Sequence, residues 1–446
     1  MIPRTCHAVV LAAAVGLCLL SPPAVATEIG HWATTWAAAD QGPYPVGSPT
    51  AQPRMDFAVP DATKGATDQT FRLVVRPSIW GERMRIRLSN SLGKQPVSFD
   101  GVHVGLQASS ATLLPGTNRS VTFSGRPSVT LAPGDLVWSD PVDVPLGIDP
   151  ASPHLAGRNL AVSFHIVGSS GPMTWHAKAL TTSYLTPPGS GSHGAEEAED
   201  SFVFPTASWY FLDAVDVMAP ADTEVVVAMG DSITDGSATT INGHDRWPDA
   251  LGRRLRAIHG NRVAVVNTAI AGNQILGPAV YDADHPYAGG PALIRRLDRD
   301  VLALSGVTSV IWLEGINDFS KNGNASLEAV EAGMTEIVGR LRRAFPRVRV
   351  TGATLTSTIG TTIAWHGFPE QDEARRRLND FIRTGPLFDA HADFDAATFD
   401  AATGRMRPEF LPESSTGGAG DGVHPNRVGY LSMAKSIDLN TLLRKK

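Results

Sequence analysis

The stretch Glu224–Gly236, EVVVAMGDSITDG, decides how the chain is read. Val225, Val226 and Val227 form a short continuous apolar run, as in a strand buried on both faces of a parallel sheet. Gly230 interrupts that strand, and Asp231 and Ser232 occupy the turn. Trp247–His259 (WPDALGRRLRAIH) follows with apolar residues at helical spacing. This order puts Ser232 at the carboxyl end of a strand, where open α/β sheets hold their ligands. A serine there is exposed, with backbone N–H groups nearby that can face a negative charge. Taken alone, Gly-Asp-Ser is equally an ordinary βα turn.

Downstream the alternation continues. The pattern predicts strands at Val225–Ala228, Val263–Val266, Ser309–Leu313, Val348–Leu355 and near Ala392-Asp393. Helices are predicted at Trp247–His259, Ala292–Leu304, Leu327–Phe345, Asp372–Arg383 and Val428–Ile437. Repeated β–α units imply a parallel sheet covered by helices on both faces. Upstream, from Thr27 to about Pro220, the period changes to two. Met84, Ile86 and Leu88 alternate with Arg83, Arg85 and Arg87, a half-buried strand with its charge facing out. Val102, Val104 and Leu106 repeat that period, as do Val162, Phe164 and Ile166. Gly/Pro turns such as Ala132-Pro133-Gly134-Asp135 separate the runs, which predicts a β-sandwich. Trp32, Trp36, Trp80, Trp138, Trp175 and Trp209 belong to this half and are expected in its core rather than on a sugar-stacking surface.

The N-terminus carries Arg4, an apolar stretch from Ala8 to Leu20, and Ala24-Val25-Ala26. This is the pattern of a secretory signal peptide cut before Thr27, and the stretch is too short for a good membrane span. Cys6 and Cys18 both lie within it, so the mature chain is expected to have no disulfide, thiolate metal ligand or thiol nucleophile. The expected division is a leader at 1–26, a β-sandwich domain at 27–220 and an α/β domain at 221–446. A formal net charge of −6 and the lack of a basic cluster give no support to nucleic-acid binding. No stable membrane anchor is expected, and the oligomeric state is left open.

Three further stretches fall where strands or the last loop should end: Asn267–Asn273 (NTAIAGN), Glu314–Asp318 (EGIND) and Asp421–Asn426 (DGVHPN). Together they supply the parts of serine acyl chemistry. A serine hydroxyl needs an imidazole to take its proton, and the imidazole needs an acceptor on its other nitrogen. Asp421 and His424 can provide this within one loop. Asp393 and Asp395 are alternative acids. Candidate donors to an oxyanion are the backbone N–H groups of Ser232 and Gly272 and the amide of Asn317. Each residue also has a plain reading: Gly272 a turn glycine, Asn317 a helix cap, Asp421 a loop carboxylate, His424 a surface histidine. Asp235 and Asp318 are expected to hold loops through backbone bonds. His244 and His285, in the loops after Ser232 and Gly272, are candidates for the pocket wall and equally read as solvated loop histidines. Asp282, Asp284 and His285 make no recognisable metal motif, so neither metal nor cofactor is expected.

The four stretches resemble the four blocks of the SGNH (GDSL-type) esterase family: G-D-S, the glycine block, G-x-N-D and D-x-x-H. The resemblance covers roughly Glu224–Leu439 and implies a three-layer α/β/α, flavodoxin-like catalytic domain behind the β-sandwich. It implies Ser232 as nucleophile, His424 as base and Asp421 as acid, with Ser232, Gly272 and Asn317 forming the oxyanion hole. Arg83–Gly93 (RMRIRLSNSLG) and Ser208–Val217 (SWYFLDAVDV) further resemble a secreted, xylan-esterase-like bacterial subgroup. Ile233 stands where the name-giving motif has leucine, a conservative change. The G-x-S-x-G elbow is absent around Ser232, against an ordinary α/β-hydrolase. The expected function is a secreted or periplasmic serine esterase acting on short acyl (acetyl) esters of polysaccharide. A lipase or lysophospholipase acting on lipid esters is the alternative, and a non-catalytic carbohydrate-binding protein the rival class.

Overall fold

The computed structural model describes residue 1 and residues 30–444. The expected signal-peptide cleavage site and both cysteines lie outside the described residues.

Val225–Met229 are fully buried, and their strand, Glu224–Gly230, is flanked on both edges by parallel neighbours, as the central strand of a covered parallel sheet should be. The sheet runs Val263–Asn267, Glu224–Gly230, Val307–Leu313, Arg349–Ala353, Ala390–Ala392, and every pairing is parallel. In chain order this is 2-1-3-4-5, the flavodoxin-like arrangement. Its topological switch lies between Glu224–Gly230 and Val307–Leu313, where such sheets open a crevice at their carboxyl ends. Trp247–His259 buries Trp247, Ala250, Leu251 and Leu255 on one stripe and packs with Arg427–Ser436. Leu327–Ala344 packs with Pro369–Thr384. The segment read as one helix at 292–304 is instead a short α-helix, Leu293–Leu297, widening into a π-turn at Asp298–Leu302. No described helix is long and apolar enough to cross a membrane.

The preceding region is mainly antiparallel β. One sheet orders His31–Ala37, Leu212–Ala219, Arg83–Ser89 and Leu136–Trp138, with Val142–Asp143 also paired to Arg83–Ser89. The other is built on Thr67–Val75, Leu160–Ser169 and Val97–Ser109. The period-two side chains Leu73, Val104, Val162 and Phe164 are all fully buried. Phe99 meets Phe211, and Trp36 meets Trp209, edge to face across the core between the sheets. Of the six tryptophans expected inside, Trp32 and Trp138 are only partly buried and sandwich the guanidinium of Arg85.

The arginine strand departs from expectation. Only Arg83 is exposed, paired with Asp143. Arg85 pairs with Asp216 and reaches Ser305 Oγ, while Arg87 pairs with Asp213 and donates to the carbonyls of Ala303 and Arg299. Their charge faces the α/β part of the chain rather than water. Period two marks which face is apolar but cannot tell solvent from a second packed layer.

Candidate active site

Gly230 ends its strand where no other residue fits: a Cβ would lie 2.4 Å from the Leu313 carbonyl oxygen. Asp231 then caps a one-turn helix, Ser232–Asp235, by accepting from Ile233 N–H at 3.0 Å. Ser232 is thus the first helical residue, and its side chain points into a cleft of about 570 Å³. His424 Nε2 lies 2.7 Å from Ser232 Oγ, and His424 Nδ1 lies 2.5 Å from Asp421 Oδ2. Asp421 Oδ1 accepts the backbone N–H groups of Val423 and His424, each at 2.9 Å. Burial pushes the Asp421 carboxyl upward, but these bonds from His424 and the backbone outweigh it and hold it well below the usual carboxylate range. An ionised Asp421 can only accept, so Nδ1 carries the imidazole proton and Nε2 is left to accept from the Ser232 hydroxyl.

Gly272 and Asn317 line the same cleft. Gly272 has φ +82°, a left-handed conformation that turns the loop after Val263–Asn267 back across the sheet end. Asn317 Nδ2 donates to the Asn273 carbonyl at 2.9 Å, locking the two loops together and leaving its second amide hydrogen for the cleft. The switch-point strands therefore deliver Ser232 and Asn317, and the neighbouring strand delivers Gly272.

Buried polar groups hold these loops from behind. Asp318 accepts the N–H groups of Ile275 and Leu276, and Asp235 Oδ2 accepts that of Ala271, as expected of both carboxylates. Arg296 is fully buried and donates to Asn273 Oδ1, to the carbonyl of Thr268 and to Asp300. Burial drives Asp231 up to about 7, with the Asp318 and Asp235 charges adding to the effect. Burial drives Glu314 up to about 8, opposed by Arg296. The second oxygens of Asp231 and Glu314 lack a hydrogen-bond partner among the described residues. The folded protein therefore keeps a proton on Glu314 that the unfolded chain, with its ordinary 4.5, releases. Stability should fall as pH rises from about 4.5 to about 8 and level off beyond. Glu314→Gln is expected to melt with the parent at pH 5 but several degrees above it at pH 8. A difference in melting temperature independent of pH would refute this.

The two candidate wall histidines are elsewhere, His285 as the solvated reading has it. His285 is an exposed loop residue bonded to Asp282, and His244 lies beside Arg76 at the seam between the two regions. Among the described residues, no group of three or more His, Cys, Asp or Glu could hold a metal ion. Asp393 and Asp395 bind Arg383 and Arg375, which removes them as alternative acids. Other contributors were not read from the sequence at all. Thr50 and Lys178, from the antiparallel region, line the cleft, and Lys178 Nζ donates to Thr50 Oγ1 at 2.6 Å. His176 backs Asp235 at 3.1 Å. Trp365 and His366 form part of the opposite wall.

Residues 228–431 match the GDSL-like Lipase/Acylhydrolase family. No curated protein matches the chain. Among solved structures, it is similar to the native aryl esterase of M. smegmatis (15% identity, 50% of this chain, 100% of that one, TM-score 0.38). It is also similar to a carbohydrate acetylesterase from Sinorhizobium meliloti (16% identity, 48% and 95% covered, TM-score 0.34). A third is a family two carbohydrate esterase from Clostridium thermocellum in complex with cellohexaose (13% identity, 83% and 90% covered, TM-score 0.34). The match over residues 228–431 is thus to the GDSL-like lipase/acylhydrolase family, one of esterase-type hydrolases, and a mainly antiparallel β region stands in front of it.

Proposed function

We propose that the chain is a secreted or periplasmic serine esterase that removes short acyl groups, acetyl foremost, from polysaccharide. The observation that carries the catalytic reading is the continuous Ser232–His424–Asp421 relay, with bonds of 2.7 and 2.5 Å, at the floor of the cleft. Ser232 Oγ attacks the ester carbonyl as its proton passes to His424 Nε2. The carbonyl oxygen becomes an oxyanion facing the Ser232 and Gly272 N–H groups and the Asn317 amide. His424 then gives its proton to the departing alcohol, leaving an acyl-serine. A water molecule, deprotonated by the same nitrogen, releases the acid and restores Ser232. Asp421 stays ionised and stabilises the imidazolium.

The substrate reading rests on the cleft wall. Ser48, Thr50, Ser415 and Thr416 give it small polar side chains, Pro49, Ala51 and Ile363 a short apolar lining, and Trp365 one broad aromatic face. This suits a compact acyl group on a hydroxyl-rich alcohol better than a long acyl chain. Product release from a panel of acetylated xylan, acetylated pyranosides and lysophospholipid decides the matter. Acetate from the glycans is expected, and fatty acid released faster than acetate would overturn the substrate reading in favour of a lipid esterase.

A further inference from the structure

The geometry points to a sugar subsite beside Ser232, built by Trp365 and His366, that holds the alcohol half of the ester. It rests on the carbohydrate-esterase reading above and gives that reading a recognition element outside the relay and the oxyanion donors.

The loop that carries both residues is tied to the relay itself. Thr361 Oγ1 and the Thr362 N–H donate to the backbone carbonyl of Asp421, at 2.6 and 2.9 Å. His366 N–H donates to the Ile363 carbonyl, and Lys321 N–H donates to that of Trp365, both at 3.1 Å. The two side chains are therefore held in register with the relay by backbone bonds.

The tautomer of His366 follows from its neighbours. Gln371 Oε1 accepts the Gly367 N–H at 2.7 Å, and Gln371 Nε2 donates to the Ile316 carbonyl at 3.0 Å. A backbone N–H can only donate and a carbonyl can only accept, so the amide orientation is fixed. The same Nε2 lies 2.7 Å from His366 Nδ1, which must then be the acceptor. The ring proton sits on Nε2, and this N–H has no protein acceptor among the described residues. Burial, reinforced by His424, pushes His366 down to about 4. The ring stays neutral at working pH, a donor that adds no charge against the imidazolium forming on His424.

Trp365 supplies the second element. It is 46% exposed, whereas Trp36, Trp80, Trp175 and Trp209 are at most 7% exposed. An open indole face next to one fixed N–H donor matches a pyranose, which offers an apolar C–H face and a rim of hydroxyls.

The test uses the full chain with two substrates: an acetylated methyl xyloside, whose alcohol half is a pyranose, and 4-nitrophenyl acetate, whose alcohol half is not. His366→Leu is expected to lower kcat/KM on the sugar acetate about 10- to 100-fold, and on the aryl acetate less than about threefold. His366→Gln, which restores a donor near the Nε2 position, should recover most of the loss. Trp365→Ala should raise KM on the sugar acetate about tenfold with little change in kcat. If His366→Leu fails to fold, the exposed Trp365 and the conservative glutamine carry the same test. Equal losses on both substrates, or none on the sugar acetate, would overturn the subsite alone. A parent enzyme that cleaves the aryl acetate but no sugar acetate would overturn the substrate reading and the subsite together.

Discussion

Ser232→Ala is expected to fold as the parent does and to lose about 10⁵–10⁶-fold in kcat on any ester. The substitution removes one oxygen from the first residue of a one-turn helix, and alanine keeps the helical backbone and its N–H. The loss corresponds to about 7–8 kcal/mol of barrier, the contribution of a covalent path with its base already aligned at 2.7 Å. What survives should be the share of the oxyanion donors and of binding, about 10³–10⁴ over water. Melting curves and burst kinetics with 4-nitrophenyl acetate separate folding from chemistry. A serine-directed organophosphate should label the parent on the peptide containing Ser232 and leave the variant unlabelled. Residual activity within about tenfold of the parent would move the nucleophile elsewhere in the chain.

How much of this was legible in the sequence depended on whether a feature is local. The parallel sheet was readable because each strand is a short apolar run and each helix an amphipathic stripe. Val225–Met229 and Trp247–His259 each carry their signal within one element. Asp421 and His424 were readable as a pair because three residues of one loop bring the carboxylate under the ring. The roles of Asp235 and Asp318 follow from the same local logic. The structure adds what only tertiary contact creates. Nothing near Arg85 or Arg87 announces that Asp216 and Asp213, more than a hundred residues away, draw them toward the α/β part. Nothing in Pro49-Thr50-Ala51 or Lys178 announces an active-site wall. His366 follows no strand and sits in no motif; its signal is a hydrogen bond from Gln371, one turn into the next helix.

These non-local contacts bear on what the antiparallel region is for. Thr34 N–H donates to the Ser305 carbonyl, Arg299 donates to the carbonyl of Asp40, and Arg87 returns the contact through the carbonyls of Ala303 and Arg299. His176 reaches Asp235, which itself holds the Ala271 N–H next to Gly272. The region in front is thus two bonds from the loop that carries Gly272, and it places Lys178 and Thr50 against the cleft that holds Ser232.

Asn317 is where positioning and chemistry meet, and its variants should separate them. Asn317→Ala removes an amide that fixes the Asn273 carbonyl at 2.9 Å and whose other hydrogen is free for the oxyanion. The expected result is a fall of about 10²–10³-fold in kcat with KM within about threefold, or roughly 3–4 kcal/mol lost only once charge develops. If Asn317 merely ties the loops together, the loss should appear as a lower melting temperature with kcat preserved. Asn317→Asp keeps the size but replaces a donor by an acceptor. It sets a carboxylate against both the Asn273 carbonyl and the developing oxyanion, in a cleft floor where Asp231 and Glu314 are already held toward their protonated forms. A further carboxylate there has little to neutralise it, so the aspartate variant should be at least as slow as the alanine one at neutral pH. An Asn317→Asp enzyme with near-parental kcat would assign the oxyanion to the Ser232 and Gly272 N–H groups alone, and leave Asn317 as the clasp between two loops.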